Sequence, residues 1–285
     1  MIYELEDTAK AASIFEGWEE TLIYSCIQKI MGKIYVTDPV QPRSACAFVG
    51  CFAFYAGKPD EELVKNKPGD FVIMTPQNEE WAKVIEKCYP MAKRVTRYAT
   101  RKDTKFDILK LQDMVKQLPE GYELRKIDGD IYDQCLQNPE TADFVSVFGS
   151  KDKYLEYGKG FVILKGEEIQ VRHRRTCREA RAPKELSFTR LCDPPEAQLS
   201  AGTPRLKVVS GASSYSRYKE GIEIEVDTIE TERRKHLATA ACAALILECL
   251  KENLYPSWDA QNINSVRLAE KLGYEFAHEY VAYEV

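Results

Sequence analysis

No stretch of this chain is apolar for long enough to cross a bilayer. The longest run, Leu237 to Leu250, is interrupted by Thr239 and Glu248 and falls short of the ~20 residues a spanning helix needs. The opening residues, "MIYELEDTAKAASIFEGWEE", are acidic and lack the basic segment and apolar core of a secretory leader. Positive charge is not in excess. The 285 residues carry 40 Lys and Arg against 45 Asp and Glu, a net charge of −5, which argues against bulk binding to nucleic acid. No CxxC pair and no zinc-type histidine spacing occurs, and the nine cysteines make an odd number. Cys46, Cys51, Cys242 and Cys249 sit in apolar contexts, so they read as reduced core residues. No short-period repeat is present. The expectation is a cytoplasmic globular protein without membrane or metal, of mixed α/β (α+β) content and long enough for one large or two ordinary domains.

What is present alternates between helix and strand. Residues 13–31, 77–89 and 107–117 carry helical periodicity, while 33–38, 44–57, 71–76 and 93–101 read as strands. Pro119 and Gly121 then suggest a boundary, giving an N-terminal domain over 1–118 and a second domain over 119–285. The second opens with a strand at 121–128, helices near 129–137 and 150–157, and a strand at 159–169. Residues 170–207 follow neither periodicity and hold nine Arg or Lys against four Asp or Glu. They read as a basic insert, either a solvated excursion or a contact for an acidic partner. Order resumes with a strand at 208–218. In 222–228 alternation puts Ile222, Ile224 and Val226 on one face and Glu223, Glu225 and Asp227 on the other. A helix, a short strand at 255–260, a helix at 262–274 and one or two closing strands complete the chain.

The stretch "DTIETERRKHLATAACAALILECL" (227–250) poses a physical question. Arg233, Arg234 and Lys235 precede an apolar helix, where cations oppose the partial positive charge of free N–H groups. The placement makes sense if an anion such as a pyrophosphate occupies the turn, held by backbone amides and flanking cations. The other reading is a basic turn paired with Glu230 and Glu232.

The order of elements around this turn resembles the GNAT superfamily of acyl-CoA-dependent N-acyltransferases. That family's pyrophosphate loop, Gln/Arg-x-x-Gly-x-Gly/Ala, is matched by "RRKHLA", with Arg233 first, Ala238 last and His236 where Gly is usual. A later motif is matched by "NINSVRLAEKLGY", with Asn262, Ser265, Leu268, Gly273 and Tyr274 in register. "SGASSYSRYKEGIEIEVDT", "YPSWDAQNINS" and "HEYVAYEV" further resemble a bacterial branch with an additional N-terminal domain. The resemblance implies a GNAT fold in the C-terminal half, with a mixed, mostly antiparallel sheet flanked by helices. The N-terminal α/β domain, by its own alternation, reads as a diverged copy of that fold.

The resemblance also implies acetyl-CoA as co-substrate and a small-molecule or peptide amine as acceptor, while setting no oligomeric state. The backbone from Ile224 through Val226 to Thr228 would hold the pantetheine arm. The amides of Arg234, Lys235, His236, Leu237, Ala238 and Thr239 would cradle the pyrophosphate, with Arg233 and Arg234 adding charge. Asn262 and Ser265 would lie near the thioester, or simply cap their helix. Two positions depart from the family. His236 places a Cβ where Gly permits positive φ, although His tolerates that region better than most residues. Ala269 stands where many relatives have a Tyr that protonates the leaving thiolate; Tyr280 and Tyr283, in the last strand, either substitute for it or serve the core or surface. Glu225, nearer the cofactor than Glu223, is the preferred base for the amine proton, with His278 as a further candidate. Phe48, Phe52, Phe54 and Tyr55 serve the core or line an acceptor pocket. A non-catalytic acyl-CoA-binding or interaction module on a degenerate GNAT domain is the alternative function.

Overall fold

The structure is a computed structural model describing residues 1–166 and 206–285. The basic insert expected over 170–207 lies outside the described residues, apart from its last two, which begin a strand. The first half comprises β1 (Tyr3–Glu4), α1 (Thr21–Ile27), β2 (Lys33–Val36), β3 (Ser44–Val49), β4 (Phe52–Gly57), α2 (Glu61–Lys65), β5 (Ile73–Pro76), α3 (Glu79–Cys88) and β6 (Lys93–Thr100). There follow α4 (Ile108–Lys116), β7 (Tyr122–Lys126), α5 (Gly129–Leu136), α6 (Lys151–Tyr157), β8 (Gly160–Gly166), β9 (Leu206–Tyr218) and β10 (Gly221–Thr228). The chain ends with α7 (Leu237–Lys251), β11 (Tyr255–Ser257), β12 (Asp259–Ala260), α8 (Ile263–Leu272) and β13 (Phe276–Glu284).

Three segments differ from the sequence reading. Residues 44–57 form a hairpin rather than one strand. The chain turns at Gly50, whose φ is 59°. The Tyr215 hydroxyl occupies the space a Cβ there would need. The helix expected over 13–31 is interrupted, because Gly17 takes a φ of 76° between a 3-10 segment, Thr8–Phe15, and α1. "YPSWDA" is divided between two sheets.

One sheet runs β1-β2-β3-β4-β5-β13-β6-β12 and the other β11-β10-β9-β8-β7. Neighbours are antiparallel except β4·β5 and β10·β11, which are parallel. Each parallel pair is a crossover through one helix, α2 or α7. Each is followed by a helix and a long antiparallel strand: α3 and β6 in the first half, α8 and β13 in the second. The same architecture therefore occurs twice. The two copies share strands. β13 lies in the first sheet between β5 and β6, with Tyr283 opposite Met74 and Val281 opposite Thr96. A boundary at 118 therefore separates neither the strands nor the cores, since Leu111 and Met114 of α4 belong to the core around α7 and Tyr215 to that of the first half. β12 adds to the outer side of β6, with Asp259 opposite Ala99, so the two residues flanking Trp258 belong to different sheets.

α7 is buried on nearly every side, including Leu237, Ala241, Cys242, Leu245, Ile246 and Cys249. A helix apolar all round needs cover all round. The second sheet and α4 supply it, through Leu111, Ile163, Val209 and Ile222 among others. This packing fixes where the N-terminus of α7 points. Among the described residues no helix is long and apolar enough to cross a membrane.

Candidate active site

The parallel pairing of β10 with β11 runs from Gly221↔Tyr255 to Glu223↔Ser257 and stops. Beyond it, Ile224 to Thr228 keep their β9 partners but no longer pair with β11. At the same place the β9·β10 ladder slips. Glu223 faces Ser216 and Ile224 faces Ser214, leaving Tyr215 as an extra residue. Such a bulge re-aims a side chain. Here it drives Tyr215 into the first-half hairpin, edge-on to Phe52 at 5.5 Å, where its hydroxyl accepts the Cys51 amide at 2.9 Å. The divergence of β10 and β11 opens a cavity of about 860 Å³ lined from both halves: Gly50, Cys51, Phe52 and Phe71 from the first, Ile224 to Asp227, Arg233, Trp258 and Ser265 from the second.

The basic turn borders this cavity. Arg234 and His236 both adopt left-handed backbone, with φ of 62° and 64°. Alternation of this kind turns successive N–H groups toward one concavity. Among the described residues no carbonyl or side chain accepts from the amides of Arg234 to Thr239, and the first helical bond is Ala240 N–H to His236 O at 3.1 Å. The cations divide. Lys235 binds Glu232 at 2.7 Å, as the paired-turn reading expects. Arg233 instead donates to the Thr228 carbonyl at 3.0 Å and reaches the cavity wall. Burial would raise the Glu232 carboxyl, but hydrogen bonds from Lys235, Tyr122 and Lys165 override it and hold the group at about 2. The anchored carboxylate thus fixes the base of the turn.

His236 caps α7 without a side-chain bond to it; its Nδ1 lies 3.1 Å from Lys271 Nζ. Its left-handed backbone costs about 1 kcal/mol relative to Gly. His236→Gly should therefore raise Tm by a few degrees, whereas His236→Val, β-branched at positive φ, should lower it. Thermal melts of the two variants check this.

The equivalent place in the first half is sealed. Asp60 caps α2 by accepting the Leu63 amide at 3.0 Å, and Glu61 and Glu62 fill its first turn. Gln77 Oε1 accepts the Gly57 amide at 3.0 Å, and Trp81 Nε1 donates to the Gly57 carbonyl at 2.9 Å. Carboxylates and an indole occupy the ground that the second half leaves open.

Glu225 lines the cavity. Burial, with Asp143 and Asp227 adding repulsion, pushes its carboxyl to about 7, although the Val226 amide and Arg97 pull the other way. Glu223 faces a separate pouch of about 50 Å³ that shares Phe52, Tyr215 and Glu225 with the main cavity. Tyr280 also lines that pouch. Its hydroxyl donates to Asp259 Oδ2 at 2.8 Å and accepts from Arg97 Nε at 3.2 Å. Tyr283 lies in the first-half core and donates to Glu86 at 2.7 Å. His278 borders a different cavity, of about 610 Å³, with Trp18 and Lys102. Asn262 caps α8 through the Ser265 amide at 3.0 Å, and Ser265 Oγ accepts from Trp258 Nε1 at 3.2 Å at the cavity edge. Ala269 is wholly buried. Phe52 lines the cavity, whereas Tyr55 packs on Trp81 at 5.5 Å. Among the described residues no group of three or more His, Cys, Asp or Glu is placed to hold a metal.

The sequence reading missed four contributors. Arg97 and Asp259 pair at 2.5 Å with both side chains about 10% exposed, and the guanidinium lies 4.8 Å from the centre of the Phe52 ring. Tyr215 and Glu20 reach the site through folding alone. A cation inside the strand "KRVTRYATR" was the available hint for Arg97. Cys51, expected in the core, is only half-buried at the cavity.

A sheet that splays beside a helix with open N-terminal amides is the architecture of an acyl-CoA-dependent acyltransferase. The chain belongs to the GNAT acetyltransferase family, whose sequence pattern matches residues 12–171 and 203–283. The unmatched stretch falls within the basic insert. A GCN5-related N-acetyltransferase-like protein of Streptococcus suis 89/1591 has a solved structure that is 40% identical, covers 98% of both chains and superposes with a TM-score of 0.80. The Bacillus subtilis (strain 168) protein described as uncharacterized N-acetyltransferase YdfB is 23% identical over 282 residues, covering 92% of this chain and 89% of its own. A tandem GNAT protein from the clavulanic acid biosynthesis pathway shares the fold at 10% identity, with a TM-score of 0.51 over 100% of this chain and 98% of its own. The protein is thus an acyltransferase of the N-acetyltransferase class, acting on acyl groups carried by coenzyme A.

Proposed function

We propose that this chain transfers an acetyl group from acetyl-CoA to an amine by direct attack in a ternary complex, using the second-half site alone. The open amides of Arg234 to Thr239 carry the reading. They form an electropositive concavity in a protein whose first-half counterpart is filled by Asp60, Gln77 and Trp81. These residues fit a diphosphate. Arg233 and Arg234 add charge, while Lys235 holds Glu232 beneath the turn. The free edge of Ile224 to Thr228 suits an extended pantetheine arm, and Asn262 and Ser265 bound its far end. Acetyl-CoA supplies the activated thioester.

Glu225 takes the proton of the attacking amine, and a carboxyl near 7 suits that task at neutral pH. As the C–N bond forms, the C–S bond breaks and the thiolate leaves. The Val226 amide favours the ionised form of Glu225 and, on the splayed strand, is the donor we assign to the thioester carbonyl. Tyr280, its proton engaged by Asp259, acts as a positioning residue for Arg97 and Asp259.

Isothermal titration tests the cofactor assignment. Acetyl-CoA should bind the wild type, and Arg233→Glu should weaken it about tenfold, one charge-assisted contact reversed. No binding at millimolar acetyl-CoA would overturn the proposal.

A further inference from the structure

The pouch beside Glu225 contains a polar group with no partner. Glu223 is 6% exposed. Its Oε2 takes a short hydrogen bond from Thr21 Oγ1, but its Oε1 is buried with no partner at bonding geometry. Ser257 Oγ accepts from Lys102 Nζ at 2.7 Å and keeps its own proton, which favours the ionised Glu223 carboxyl without reaching bonding geometry at Oε1. Glu20, 7% exposed, shares the pouch. A buried orphan oxygen costs ~1–3 kcal/mol, more when charged, so its retention points to an occupant.

Charge, size and walls describe that occupant. Arg97 is matched by Asp259 at 2.5 Å. Among the described residues Lys102 is the cation that favours ionisation of both Glu20 and Glu223, while burial holds both carboxyls toward the neutral form, so the pouch can take up a positive charge by giving up a proton. Its volume of about 50 Å³ accommodates a group the size of water, whose share of liquid volume is ~30 Å³. Phe52, Phe54 and Tyr215 present aromatic surface around it, which favours a cation. A primary ammonium meets all three requirements.

Resting on the acetyltransferase reading, we propose that the acceptor is a linear diamine: one amino group is acetylated at Glu225 while the second, as ammonium, sits between Glu223 and Glu20. Residues two apart on a strand are separated by roughly 6–7 Å, the span of about four or five methylenes. Burial foremost, then Asp259, holds the Glu20 carboxyl up to about 8. Arrival of the ammonium therefore releases a proton, and the binding heat should vary with the ionisation enthalpy of the buffer.

Isothermal titration with 1,4-diaminobutane and with butan-1-amine, on acetyl-free CoA-loaded protein, reads the pouch without turnover. The diamine should bind the wild type at least tenfold more tightly than the monoamine. Glu223→Gln, and separately Glu20→Gln, should reduce that preference to less than threefold. Equal binding of the two amines by the wild type overturns the proposal even if one variant fails to fold. So does a preference that persists in both variants, or competition by potassium at equal ionic strength. Thiol release across an amine panel is scored apart. Diamine binding without thiol release would count against the catalytic reading and leave the pouch intact. Thiol release with no diamine preference would do the reverse.

Discussion

Glu225→Gln should lower kcat/KM by about 10²–10⁴-fold, the usual contribution of a positioned base, with acetyl-CoA affinity little changed. Glutamine keeps the shape and loses the ability to accept the amine proton. The pH dependence follows from the sign of the shift. Below about 7 the wild-type carboxyl is protonated and cannot act; as pH rises through about 7 it ionises and the rate climbs. Asp143 is the largest repulsive neighbour after burial itself. Asp143→Asn should therefore move the rising limb to lower pH while leaving the plateau in place. Glu225→Gln at wild-type rate, or an Asp143→Asn profile displaced upward, would remove Glu225 as the base.

Arg97→Met should be the most destabilising single change at the site, by about 3–5 kcal/mol, equivalent to a Tm loss of roughly 10 °C in a chain of this size. Arg97 lies on β6 and Asp259 on β12, and both side chains are about 10% exposed. Removing the guanidinium strands a buried carboxylate whose remaining bond comes from the Tyr280 hydroxyl at 2.8 Å. It also removes the cation stacked on Phe52. The double variant Arg97→Met/Asp259→Asn should recover more than half of the loss, because the cost lies in the unpaired charge rather than in the missing contact. Chemical denaturation of the single and double variants decides this. A neutral single variant would mean that water reaches Asp259 and that the pair does not hold β12 against β6.

The features legible in the sequence are local ones. Cations ahead of an uncapped apolar helix, and the thirteen-residue motif beginning at Asn262, are each read from one short stretch. The backbone bears out the local expectation at His236, which takes the positive φ that Gly would supply. Glu225 was reachable by strand alternation. The residues that shape the pouch were not, because their partners are remote. Thr21 meets Glu223 across 202 positions and Arg97 meets Asp259 across 162. The place of β13 in the first sheet is a pairing choice between distant segments, and alternation within "HEYVAYEV" does not encode its neighbours. The bulge at Tyr215 escapes for a related reason. An extra residue in a ladder is defined by the opposite strand, and "SGASSYSRY" alone reads as unbroken alternation. Gly50 and Gly17 were visible as residues, but the demand for positive φ arises from the turns they close.

Amide hydrogen exchange over residues 228–239, measured with and without saturating CoA, tests the central claim most directly. The account predicts marked slowing at Arg234 to Thr239 on CoA binding and no change in the sealed counterpart, Asp60 to Val64. Unchanged exchange at Arg234 to Thr239 with CoA bound, or protection appearing at Asp60 to Val64 instead, would contradict it.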